Sequence, residues 1–214
     1  MSELYWQTVT LGMRKVMGTF AMSKIGKRFY LAGGAGLGLQ LGHRRSGDLE
    51  YFSATEDLPS MEETLLRSVE STTSLLVDSG WGSMVFLVGG VRVGFYSYGY
   101  DLVHPLVEVE GVQIASVTDI GLMKLEALLG RAEKRDFHDL YAICQQRPLE
   151  ELLSLASFKY PQVRDFEAQV VKRLVYFDLA EQDLPPVLLE QVEWETVKGF
   201  FLQQAAAIGR DWIA

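Results

Sequence analysis

The chain has 214 residues and a mass of 24.0 kDa, with 48% hydrophobic and 22% charged residues, enough to bury one or two real cores. A net charge of −8 disfavours non-specific attraction to nucleic acid or anionic membranes. A single cysteine, Cys144, excludes an intrachain disulfide and points to a reducing, cytoplasmic setting. No run of about 18 apolar residues is present, so no membrane-spanning helix is expected. Glu3, Arg14 and Lys15 interrupt the first segment and argue against a signal peptide.

Taken in order, residues 4–21 carry Leu4, Leu11, Met17 and Phe20 at mixed helical spacing and predict one or two amphipathic helices. Phe29 to Ala32 reads as a short buried strand, broken by Gly33-Gly34. Ala35 to Leu41 has helical spacing, and His43 to Gly47 reads as a polar, basic loop. Asp48 to Phe52 predicts a second strand. Ser60 and Glu63 predict a capping box opening a helix through Leu65, Leu66, Val69 and Leu76 that ends near Gly80. Apolar runs flanking Gly89-Gly90 predict a hairpin, and those flanking Glu110-Gly111 a second. From Thr118 the pattern turns helical, with candidates around Ile120 to Leu128, Phe137 to Ile143, Val163 to Val175 and Trp194 to Ile208. The expected architecture is α+β: a mixed sheet flanked by helices over residues 1–117, and a helical region over 118–214 packed on it.

Chemistry concentrates between Phe29 and Ser53. Side chains two apart on a strand share a face, so Asp48 and Glu50 project together. Two such carboxylates repel unless a cation lies between them, and a divalent metal with oxygen ligands meets that need. The start of a helix after Gly33-Gly34 offers free N–H groups and a positive dipole end to a phosphate. Arg44 or Arg45 can clamp a phosphate in bidentate geometry. Strand, glycine turn, helix start and carboxylate pair together suit nucleotidyl transfer. Plainer readings of the same residues are an edge strand guarded by charge and a surface salt bridge from the arginines.

At these residues the chain resembles the nucleotidyltransferase-like proteins of the AbiEii/AbiGii toxin group. The resemblance is carried by Gly33, Gly34, Leu37, Leu39, Gln40, Gly42, His43, Arg44, Ser46, Asp48, Glu50 and Phe52. A second block is carried by Asp119, Ile120, Lys124, Ala127, Arg131 and Arg135 to Leu140. The resemblance implies a nucleotidyltransferase-like core, an NTP substrate, Mg²⁺ or Mn²⁺ on Asp48 and Glu50, and an RNA or protein hydroxyl as acceptor. It implies catalytic roles for Asp48, Glu50, Lys124 and Asp136. Nucleotide or phosphate contacts fall to Gly33, Gly34, His43, Arg44, Ser46 and Arg131. A toxin-antitoxin or phage-defence role with an antitoxin protein partner follows from the same likeness.

Three features depart from the family pattern: Ala35 replaces a hydroxyl residue, Glu50 replaces an aspartate, and Gly36 and Gly38 stand inside the helix, each costing about 1 kcal/mol relative to alanine. In addition, the strand from Val91 to Phe95 has no acid where polymerase-type enzymes place a third carboxylate. Strand parity puts Gly94 at that place, which predicts a gap and no carboxylate but Asp48 and Glu50 within metal-binding distance, with Asp101 and Glu108 the nearest substitutes. These departures motivate a second reading: a catalytically degenerate nucleotidyltransferase fold that binds a nucleotide or a partner. Lys124 and Arg131, seven apart, are expected near one face of one helix, with Asp136 and Asp139 as neighbours on the next; cross-helix ion pairing is the plainer reading. His104 and His138 read as surface or cap residues, and Cys144 as packing.

Overall fold

A computed structural model describes residues 4–68 and 74–211. The first regular helix, α1 (Leu11–Ala21), begins where the Thr10 hydroxyl accepts from Met13 N at 3.2 Å. Its buried stripe is Met13, Val16, Met17 and Phe20. Then follow β1 (Tyr30–Leu31), α2 (Gly33–Leu41), β2 (Asp48–Ser53), α3 (Glu62–Ser68), β3 (Ser74–Gly80), β4 (Ser83–Val88), β5 (Val91–Ser97), β6 (Val107–Val109) and β7 (Val112–Ile114). The glycine pair predicted to break the first strand forms the opening residues of α2 itself.

Among the described residues, seven strands make one mixed sheet in the order β3-β4-β5-β2-β1-β7-β6. β2 runs antiparallel to β1 and parallel to β5, and β1 runs parallel to β7. The two hairpins predicted at Gly89-Gly90 and Glu110-Gly111 are β4–β5 and β6–β7. One face of the sheet is the core face. There Leu49 and Tyr51 of β2 sit beside Val93 and Phe95 of β5, all buried, while Phe86 of β4 pairs with Val93. Phe95 is the hub: its ring centroid lies 5.2 Å from Phe20, 5.4 Å from Phe29, 5.5 Å from Tyr51 and 5.9 Å from Phe86.

The long helix predicted from Ser60 to near Gly80 is not formed. Ser60 lies in a 3-10 turn, Leu58–Met61, and its hydroxyl donates to Asp57 O at 2.8 Å and caps no helix. α3 ends at Ser68, Val69 lies outside the described residues, and Leu76 belongs to β3. Pairing with β4 supplies Ser74 to Gly80 with cross-strand hydrogen bonds that an isolated apolar stripe cannot match. β3 is an edge strand with a register irregularity between Leu76 and Asp78. Trp81, at the turn into β4, is fully exposed.

The chain divides into two compact units, Met1–Ser116 and Val117–Ala214. The second unit is helical: α4 (Val117–Gly130), α5 (Lys134–Cys144), α6 (Leu149–Lys159), α7 (Phe166–Leu174), α8 (Asp178–Glu181) and α9 (Trp194–Asp211). Its core gathers Leu125, Leu128, Phe137, Leu152, Val170 and Phe201. Helices α6 and α8 are absent from the sequence expectation. Pro148 reads as a break but stands at the entrance of α6, immediately before its first turn. None of the described helices is long and apolar enough to cross a membrane.

Because Phe95 contacts four other rings, Phe95→Ala is expected to remove about 3–5 kcal/mol of stability from the first unit. Leu11→Ala, at an 88% exposed position, is expected to stay within about 0.5 kcal/mol. Urea unfolding of both variants checks the difference.

Candidate functional site

The candidate site grows from one backbone contact. Ala32 N donates to Glu50 O at 3.0 Å, which locks the end of β1 to the middle of β2. The next residue, Gly33, has φ +56° and turns the chain into α2, where Gly36 N donates to Ala32 O at 2.9 Å. A β-carbon on Gly33 would overlap the Glu50 carboxylate. One on Gly34 would lie 2.5 Å from an Arg44 guanidinium nitrogen. The glycine pair therefore lets a carboxylate and a guanidinium lie directly against the first turn of α2, a use of glycine that close backbone approach explains. Gly36 and Gly38 serve packing as well: β-carbons there would lie 3.2 Å from Leu31 O and 3.1 Å from Arg44 O.

Asp48 and Glu50 share one half-buried face of β2, alternating with buried Leu49 and Tyr51. The Ser46 hydroxyl donates to Asp48 Oδ1 at 3.3 Å, and Ser46 N donates to Thr8 O at 2.8 Å, so the N-terminal segment steadies the loop that carries the first acid. The segment predicted as a polar loop is largely interior: His43, Arg44 and Ser46 are buried, and only Arg45 and Gly47 are exposed. Arg44 donates from Nη1 to Arg45 O at 3.1 Å.

On the same face, β5 sets Arg92 opposite Asp48, Gly94 opposite Glu50 and Tyr96 opposite Phe52. The gap expected at Gly94 is filled. A β-carbon there would lie 2.5 Å from the Tyr96 hydroxyl and 2.6 Å from its ring, so the Tyr96 side chain folds back over Gly94. Strand parity finds the face but not this fold-back, although a tyrosine two residues beyond a glycine is the sequence signal for it. Among the described residues no three His, Cys, Asp or Glu side chains are grouped to hold a metal ion.

The other predicted residues lie in the second unit. Lys124 Nζ donates to Asp136 Oδ1 at 2.8 Å and pairs with Asp139 Oδ2 at 2.7 Å. Arg131 donates from Nε to Asp136 Oδ2 at 2.9 Å and from Nη2 to Oδ1 at 3.0 Å. Glu133 and Asp136 form a capping box at the start of α5. Lys124, Asp136 and Asp139 are buried, and the Arg131 side chain is 40% exposed. Arg131 is not on the helix expected for it: α4 stops at Gly130, and Ala132 turns the chain with φ 47°. Burial opposes ionisation of Asp136, but the Lys124 charge and the Arg131 hydrogen bonds and charge outweigh it, so its carboxyl lies below its ordinary value. His138, expected at the surface or as a cap, is buried inside α5 with its ring 5.7 Å from Trp194. Burial pushes the Cys144 thiol up to about 12, which removes it as a nucleophile near neutral pH.

Comparisons with known proteins bear on the family and the fold. The family model for the nucleotidyl transferase AbiEii toxin of type IV toxin-antitoxin systems matches residues 88–213, a span holding Lys124, Arg131 and Asp136 and starting after Asp48 and Glu50. An uncharacterised protein of Aquifex aeolicus (strain VF5) is 33% identical over 180 residues, covering 81% of this chain and 84% of its own length. MenT4, a nucleotidyltransferase toxin from Mycobacterium tuberculosis H37Rv, superposes with a TM-score of 0.63 over 92% of this chain and 82% of its own at 16% identity, a likeness of fold.

Two expectations follow. Gly33→Ala would meet both a positive φ and the Glu50 carboxylate, and should lower stability by about 1–2 kcal/mol from the backbone alone; thermal unfolding reads this. Asp136→Asn removes the carboxylate that Lys124 and Arg131 share, while Lys124 keeps Asp139, and should cost about 1–3 kcal/mol at neutral pH. Because the folded carboxyl lies below its unfolded value, its stabilisation is complete above about pH 4 and is lost as pH falls through the folded value. Urea unfolding from pH 7 to pH 2 should therefore show a steeper acid loss in the native chain than in Asp136→Asn.

Proposed function

This chain belongs to the AbiEii family of nucleotidyl transferase toxins, and from that premise we propose that its first unit transfers a nucleotidyl group from an NTP to a hydroxyl of RNA or protein. The observation that carries this reading is the convergence of Asp48 and Glu50, on one face of β2, with Arg44 at the glycine-opened start of α2. The donor set fits a hard divalent ion: magnesium is commonly held by one or two carboxylates together with substrate phosphates, not by an all-protein cage. Asp48 and Glu50 would hold Mg²⁺ or Mn²⁺, which when bound neutralises charge on the polyphosphate.

The acceptor hydroxyl oxygen attacks the α-phosphorus, the bond from that phosphorus to the bridging oxygen breaks, pyrophosphate leaves, and the hydroxyl proton passes to water. The chain supplies orientation and charge. Gly33 and Gly34 leave the first turn of α2 open to close approach, with its N–H groups and positive dipole end favouring a phosphate. Arg44 neutralises a phosphate oxygen, and buried His43 and Ser46 fix the loop that aims Arg44 and Asp48. In the second unit Arg131 is the exposed member of its cluster, and Lys124 and Asp136 hold it in place as positioning residues. The protein acts in the cytoplasm, and a small antitoxin protein restrains it.

Parallel incubations with NTPs labelled at the α-phosphate or at the γ-phosphate, Mg²⁺, and total RNA or cell protein test the proposal. Label should move to one acceptor class with the native chain. Asp48→Asn should lower the rate by at least about 100-fold, as expected when a charge-stabilising group is lost. EDTA should abolish transfer. Transfer of γ-label instead of α-label, or equal rates in Asp48→Asn, would overturn the assignment.

A further inference from the structure

Next to the carboxylate pair, the same sheet face carries a row of aromatic rings that nucleotidyl transfer has not yet used. Phe52, two residues beyond Glu50 on β2, stacks on Tyr96 with centroids 5.0 Å apart and an interplanar angle of 25°. On its other side Phe52 stacks on buried Tyr30 at 6.2 Å and 23°. Tyr98 meets the edge of Phe52 at 5.7 Å, and Tyr100 meets Tyr98 at 5.3 Å. The rings of Phe52, Tyr96, Tyr98 and Tyr100 are half-buried, unlike Tyr51 and Phe95 on the core face, which are fully interior.

The order of chemistry along this face is directional. Register pairs set exposed Arg92 beside Asp48, then Gly94 beside Glu50, then Tyr96 beside Phe52. A strand advances about 3.3 Å per residue, so the rings start about 7 Å from the acid pair and Arg92 lies about 13 Å from Tyr96. The rings thus begin where the carboxylate pair ends, on the same strand face. Gly94 is what lets the ring come back: with no side chain there, Tyr96 occupies the space over Gly94, the residue paired with Glu50.

We propose that Phe52 and Tyr96, edged by Tyr98, form a nucleobase-stacking surface continuous with the Asp48/Glu50 site. This deepens the nucleotidyltransferase reading and rests on it for the class of ligand. Every base has a π-face, so rings of this kind hold a nucleobase without reading its hydrogen-bonding edge. The base comes either from the incoming NTP or from the end of an RNA acceptor, and the two sources are separable.

The test uses fluorescent bases whose emission is quenched by stacking. In one arm the full chain is titrated with non-hydrolysable triphosphates of 2-aminopurine and pyrrolocytosine. In the other it is titrated with oligoribonucleotides ending in the same two bases. Quenching is expected in at least one arm, and that arm identifies the source. Phe52→Leu and Tyr96→Ala should weaken binding in that arm about tenfold, whereas Tyr96→Phe, which keeps the ring, should stay within about twofold. Thermal unfolding of each variant shows that the fold is retained. Absence of quenching in both arms overturns the proposal, as happens if the face serves a protein partner. Unchanged affinity in folded Phe52→Leu and Tyr96→Ala overturns it too. Quenching with no α-label transfer by the native chain would remove the transfer reading and leave the stacking surface standing.

Discussion

A single hydrogen bond, from Ala32 N to Glu50 O, governs the placement of the groups in the first unit's site. It fixes β1 against β2 so that the chain must turn at residue 33 immediately beside the second carboxylate. A residue with a side chain cannot turn there without displacing that carboxylate. Helix α2 consequently starts against acid and guanidinium groups, and its positive end is spent on the site rather than on a side-chain cap: Ala32 offers no capping oxygen. The helix is short and glycine-rich, which its propensity alone would penalise. Buried contacts at Gly36 and Gly38 offset that cost by letting α2 pack close to Leu31 and the Arg44 loop.

The second unit solves a different electrostatic problem. It buries Lys124 between Asp136 and Asp139, and Lys159 against Asp119 at 3.1 Å. Such pairs gain little over apolar packing but are expensive to break from one side. Their effect here is to fix α4, α5 and α6 in one mutual arrangement and to hold Arg131 at the surface with its fork aimed by Asp136. Lys124, Arg131, Asp136 and Asp139 thus form a charged scaffold of which Arg131 is the exposed member.

Much of the first unit is legible from sequence because its signals are local. A parity-two alternation gives Asp48 and Glu50 a common face, and the dipeptides Gly89-Gly90 and Glu110-Gly111 mark two of the hairpins. The segment from Ser60 to Gly80 misleads because apolar residues at helical spacing coincide with a strand whose only strong instruction is its neighbour β4, a non-local fact. Burial of Lys124, Asp136 and His138 is equally invisible, since charge in a sequence reads as surface until its partner is located. Gly94 shows the limit of strand parity most clearly. Parity identifies the correct face and the correct neighbour of Glu50, but the rotamer of Tyr96 decides what stands there.

The edge strand β3 bears on how the protein behaves in a crowded solution. Among the described residues its outer backbone groups have no neighbour in the sheet, and Leu75 and Val77 are exposed on it, a combination that invites another chain to add a strand. The irregularity between Leu76 and Asp78 interrupts the straight run of donors and acceptors at its middle. Asp78, at that break, adds a charge that a second copy would have to desolvate. The edge is thereby split into two short stretches, 74–76 and 78–80, and a break of this kind works against strand addition by a second copy.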